Sequence, residues 1–142
     1  MSDLDEVYTV ADYWDGPRAG VANFRGEPHV YECIFDEAQD DWSDQYRLTP
    51  IGQDALEAVR EQWEIWSRWR AAFDAGATLL DTHPALPHER ERYLQLKGVL
   101  DRAVVQNQPR SFVAQGKFTA GRSDVLHGDL RSFKVTWHLA TV

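Results

Sequence analysis

Ser132-Phe133-Lys134-Val135-Thr136-Trp137-His138-Leu139 alternates between polar and apolar side chains from one end to the other. Side chains on a strand point to opposite faces with period two, so Phe133, Val135, Trp137 and Leu139 define a buried face and the residues between them a wet one. An apolar strand face has to be covered, and the rest of the chain must supply both the neighbouring strands and the cover.

Just upstream, Phe112, Ala114, Gly116 and Phe118 follow the same period and predict a fifth strand, joined to the last one by a turn-rich loop over Gly121 to Asp129. Before Pro109 the period changes. From about Gly52 to Ala75, Leu56, Val59, Trp63, Ile65, Trp66, Trp69, Ala72 and Phe73 fall within one wide helical arc. Glu57, Arg60, Glu61, Glu64 and Arg68 fall opposite it, with Arg60/Glu64 and Glu64/Arg68 at the four-residue spacing that favours ion pairs. A second helix is predicted from about Pro87 to Asn107, with Pro87 in its first turn and Tyr93, Leu96, Leu100, Ala103 and Val104 on one side. Asp81-Thr82-His83-Pro84 reads as the loop between the helices.

The N-terminal third reads as a meander. Val7 to Trp14 ends at the turn signal Asp15-Gly16-Pro17, and Gly20 to Phe24 and Pro28 to Phe35 flank the hairpin connection Arg25-Gly26-Glu27. In the third strand His29, Tyr31, Cys33 and Phe35 share one face, and Val30, Glu32 and Ile34 the other. A short fourth strand, Tyr46 to Thr49, follows an acidic connection. The expected order is four strands, two helices, two strands. The expected fold is therefore an α+β domain over residues 1–142, with an antiparallel sheet of about six strands and both helices packed on one face. Phe133, Val135, Trp137 and Leu139 should then meet Trp63 and Trp66.

A chain of 142 residues with 43% hydrophobic and 12% aromatic side chains can build a full core. No apolar run approaches the ~20 residues that cross a bilayer, and the acidic start MSDLDEVYTV lacks the basic, then apolar, pattern of a signal peptide, so a cytoplasmic location is expected. Cys33 is the only cysteine, which removes intramolecular disulfides and thiolate zinc clusters.

Charge is unevenly placed. Residues 1–51 hold 12 Asp/Glu against 3 Lys/Arg, a net −9, while the remainder is close to neutral. Such a field repels phosphate backbones and disfavours nucleic acid as a partner; it attracts basic proteins. Its densest stretch places Asp36, Glu37, Asp40, Asp41 and Asp44 within nine residues around Trp42. A calcium loop would need a central Gly and a terminal Glu, both missing. An aromatic anchor inside a charged rim suits a protein interface, and a solvated hairpin with Trp42 folded back onto the sheet is the structural alternative.

Asp12, Tyr13, Asp15, Arg18, His29 and Glu32 interleave polar groups with the first three strands, and Arg70 lies inside the apolar arc of the first helix. Drawn together, Asp12, Arg18, His29, Glu32 and Arg70 would suit acid–base work or a small polar ligand in a pocket between helices and strands. Alone, Arg70 would run its stem over the core and stack on Trp66. His83, His88, His127 and His138 have no metal-ligand spacing, and Cys33 has no cationic neighbour in sequence. Hydrolase, P-loop and dinucleotide signatures are absent, and no cofactor is expected. The reading that follows is a small acidic protein-binding module of the immunity, antitoxin-like or regulatory kind. A small enzyme or ligand-binding domain is the alternative.

Neither Mg²⁺ nor Ca²⁺ should stabilise this fold. A ligand specific for the native state adds about 2.7 kcal/mol at a hundred times its Kd. The expected outcome is a thermal midpoint unmoved by either ion, and a clear rise would make the acidic stretch a metal site.

Overall fold

Period-two alternation runs through six segments, and each forms a strand: β1 (Asp5–Tyr13), β2 (Pro17–Phe24), β3 (Glu27–Asp36), β4 (Asp41–Pro50), β5 (Phe112–Ala120) and β6 (Phe133–Leu139). The computed structural model describes residues 4–13, 16–120 and 133–139. Trp14, Asp15 and the expected Gly121–Asp129 loop, with His127, lie outside them. Each strand pairs antiparallel with the next, and β6 returns to β1 through Asp5 opposite Val135 and Glu6 opposite Lys134. The sheet is a closed barrel.

Closure corrects the expected open sheet with helices on one face. The face of β6 that carries Val135 and Trp137 packs on Tyr31, Tyr46 and Phe118 from the barrel's own strands. Alternation is identical in an open and a rolled sheet, so it cannot distinguish them. What bends the strands is irregular register: three shifts between β1 and β2, and one between β3 and β4 at Cys33/Phe35. The fourth strand is also longer than expected, since the acidic connection is itself ladder, with Asp36 opposite Asp41.

Barrels of few strands are filled by side chains. Here Tyr31, Tyr46, Phe118 and Trp137 form a tetrad in which all six ring pairs lie 5.1–6.3 Å apart, within the aromatic contact range. Their polar tips are satisfied by backbone: Tyr31 Oη donates to Thr9 O at 2.9 Å, Tyr46 Oη to Pro17 O at 3.0 Å and Trp137 Nε1 to Asn23 O at 2.9 Å. Burial pushes both tyrosine pKa values up, so the hydroxyls stay donors. Two glycines make room. A Cβ at Gly20 would meet Thr9 O and the Tyr31 hydroxyl, and one at Gly116 would meet the Trp137 ring.

The chain divides into two compact units, Met1–Pro50 with Asn107–Val142 and Ile51–Gln106. The second contains α1 (Gly52–Asp74) and α2 (Arg90–Asn107), and short 3-10 turns at Leu80–Thr82, Pro87–Glu89 and Gln108–Arg110 interrupt the connections around them. Ala58, Ile65, Ala85 and Leu96 form its own core, flanked by Tyr93 and Val99. Arg68 pairs with Glu89, and Arg92 with Glu61 through both nitrogens of its fork, so charged groups join residues distant in the chain. Trp63 and Trp66 stack on each other at 4.9 Å. No helix among the described residues is long and apolar enough to cross a membrane.

Gly20→Ala should destabilise the barrel by about 3 kcal/mol, since the new methyl meets a backbone carbonyl that cannot yield and displaces a buried hydroxyl bond. Tyr31→Phe, which loses only the bond, should lose about 1–2 kcal/mol in urea unfolding. Equal losses in the two variants would show that Gly20 does not serve the close approach.

Candidate functional site

The β3–β4 hairpin is built by its own acidic residues. The Asp36 carboxylate accepts the Ala38 and Gln39 N–H groups at 3.0 and 3.3 Å, forming a local turn. Asp40 takes a left-handed φ of 52°, which Asp tolerates, and its N–H donates to Glu37 O. Asp41 accepts the Trp42 N–H at 2.8 Å. Gln115 donates to Asp44 at 2.6 Å and Gln45 at 3.2 Å, and chiefly the first bond holds the Asp44 carboxyl below the usual carboxylate range.

These bonds fix the hairpin without neutralising it. Asp36, Glu37, Asp40, Asp41 and Asp44 have no ion-pair partner among the described residues. Asp36 and Asp41 face each other across the ladder, a like-charge arrangement that lowers stability. Their cross-strand neighbours are Phe35 and Trp42, whose rings meet edge to face at 5.2 Å. Phe35 is 41% exposed and Trp42 half-buried, so the folded-back expectation for Trp42 describes its packing while Phe35 keeps an apolar surface in water.

Under this pair lies Arg18, with its guanidinium 5.5 Å from the Trp42 ring centre and Nη1 donating to Cys33 Sγ at 3.5 Å. Cys33 Sγ in turn donates to Ser43 O at 3.1 Å, and Ser43 Oγ to Ile34 O at 2.6 Å, which bridges the bulge. Cys33 has no cationic neighbour in sequence, and the fold supplies one. Arg18 reaches it across strands, each residue one step beyond the pair Ala19 and Glu32 that ends the β2–β3 register. Phe35 and Arg18 belong to this constellation although the sequence singled out neither for it. Their signal is the hairpin symmetry, once Asp36 and Asp41 are known to pair.

The alternative ligand set does not converge on the barrel. Asp12 and Glu32 are exposed. His29 and Arg18 lie at opposite ends of the interior, since His29, Tyr31 and Cys33 succeed one another along β3 and Arg18 bonds the last. Arg70 belongs to the helical unit and pairs with Asp74 at 3.2 Å. Among the described residues no cluster of three or more His, Cys, Asp or Glu is arranged to hold a metal.

A closed six-stranded antiparallel meander barrel, with two helices inserted between its fourth and fifth strands and an acidic aromatic hairpin, is the class of structure these observations define. No family model, curated protein or solved structure matches the chain, so the hairpin is read from its own geometry.

His29 packs edgewise between Phe24 and Phe112, at 5.6 and 5.7 Å, with Nδ1 2.9 Å from Glu27 O. Burial lowers its pKa, outweighing the Glu27 carbonyl bond and the Glu27 and Asp5 charges that raise it. A histidine depressed in the fold contributes full stability above its unfolded pKa of 6.5, and loses it as pH falls from there toward the folded value. Urea stability should therefore decline below pH 6.5, before the carboxylates titrate. His29→Phe should flatten that stretch of the profile, and an unchanged slope would remove His29 as its origin.

Proposed function

We propose that this protein is a cytoplasmic protein-binding module that holds a basic protein on the β3–β4 hairpin, in the manner of an immunity, antitoxin-like or regulatory partner. The observation that carries this reading is an aromatic pair, exposed Phe35 on half-buried Trp42, within a hairpin of five carboxylates that have no ion-pair partner among the described residues. Unpaired like charges held on a fixed hairpin lower the stability of the free protein, and a cationic surface relieves them on binding. The rim then steers encounter over a screening length of about 8 Å, while the aromatic centre slows release.

Among the described residues the aromatic tetrad and its hydroxyl bonds fill the middle of the barrel. An enzyme would need convergent groups, and Asp12, Arg18, His29 and Glu32 are dispersed.

The test is capture from host lysate at low and high salt, followed by kinetics on the captured protein. Asp40, Asp41 and Asp44→Asn removes the charge and leaves one acceptor oxygen at each position, at the cost of one of the two Asp44 bonds from Gln45 and Gln115, so it should slow association at least tenfold at low salt and flatten the salt dependence. Phe35→Ala and Trp42→Ala should instead speed dissociation, each weakening binding by about 2 kcal/mol, with unfolding curves run alongside because Trp42 also packs on Arg18. A partner that binds the Asn variant with unaltered low-salt kinetics would overturn the assignment. In the absence of partner, Glu37→Gln with Asp40→Asn, which leaves the Asp44 bonds in place, should melt slightly higher than wild type, an effect that fades with salt.

A further inference from the structure

At the end of the barrel remote from the acidic hairpin, the start of β1, the β2–β3 turn and β6 surround a hollow of about 380 Å³, within the usual range for small-ligand sites. Its apolar lining comes from Leu4, Phe24 and Trp137, and its polar lining includes Arg25, Thr136 and His138. The remaining charged group, Asp5, is already engaged: its two carboxylate oxygens accept the Arg25 and Gly26 N–H groups at 3.2 Å each, which fixes the turn. Arg25, by contrast, rests its guanidinium over the Phe24 ring at 5.1 Å and has no carboxylate in ion-pair range among the described residues.

We infer that this hollow is a binding site for a small organic carboxylate with an apolar body. The guanidinium fork matches a carboxylate in shape and charge, and it is held beside aromatic surface that would cover the rest of the ligand. Trp137 cannot swing into the space, because its Nε1 is tied to Asn23 O and its ring is locked in the tetrad. Asp5 is the one carboxylate in the lining, and both its oxygens are turned to the N–H groups of the turn, while the acidic hairpin lies far off. The ten residues of β3 separate the two turns by roughly 30 Å at about 3.3 Å per residue, several screening lengths at physiological salt. The site is therefore independent of the hairpin interface.

Benzoate is a suitable probe and benzylamine, of like size and opposite charge, its control. Titration followed by amide NMR should move the Arg25, Gly26, Thr136 and His138 resonances with benzoate, at a Kd of about 1 mM or tighter, and leave them in place with benzylamine. Arg25→Gln keeps a long polar side chain at the same turn and should weaken benzoate about tenfold while the tetrad resonances stay put. No movement with benzoate up to about ten times that concentration, equal movement with both compounds, or undiminished binding by Arg25→Gln would each overturn the assignment. Hairpin variants bear on none of these outcomes.

Discussion

Everything in the barrel depends on how Tyr31 and Tyr46 are buried. A narrow barrel excludes water, and each hydroxyl carried inside must find an acceptor there or lower stability by a kcal/mol or more. Both find backbone carbonyls, at Thr9 and Pro17, which lie on the first two strands. The same bonds that satisfy the core therefore tie β3 and β4 to distant parts of the ladder, and Gly20 is needed because one of them passes where a side chain would stand. With the centre filled, chemistry is confined to the two ends, where β3 delivers His29 and the Arg25 turn in one direction and Cys33, Phe35 and the acidic turn in the other. A fold of this kind is a scaffold, and its function resides in what those ends carry.

The two ends differ in how they treat charge. At the β2–β3 turn, Asp5 is consumed by two N–H groups and Arg25 lies on an aromatic face. At the β3–β4 turn, Asp36 and Asp41 also accept N–H groups, and with Glu37, Asp40 and Asp44 they gather charge that no ion pair offsets among the described residues. Turn chemistry accounts for an Asp at positions 36 and 40, since both geometries favour it. It does not account for Glu37 beside them, nor for the exposed ring of Phe35.

The sequence made the strands, the helices and most of their burial faces legible because these depend on local period, although Leu139 and Phe73, assigned to buried faces, are exposed. Phe112, Ala114, Gly116 and Phe118 line one face as expected, and α1 spans nearly the predicted residues. Closure was not legible, because it depends on bulges and register between segments that alternation alone does not encode. The same limit hid the site. Trp42 and its carboxylates stand together in the chain and could be named, whereas Arg18 reaches Cys33 and Trp42 only once strands pair. The grouping of Asp12, His29 and Glu32 does not converge, because Asp12 and Glu32 are exposed while His29 is buried on the other face of its strand.

The insertion of α1 and α2 bears on how the chain finds its fold. β4 and β5 are ladder neighbours, with Leu48 opposite Phe112, although the whole helical unit separates them in sequence. Pairing them directly from an extended chain would close a long loop before any contact rewarded it, the situation that makes high-contact-order proteins slow. A helical segment with its own core and its own bidentate Arg–Glu pairs can contract that loop beforehand. The first four strands need only short hairpins to pair, whereas the last two join them across the whole helical unit, so the length of chain to be closed is set by how far that unit contracts.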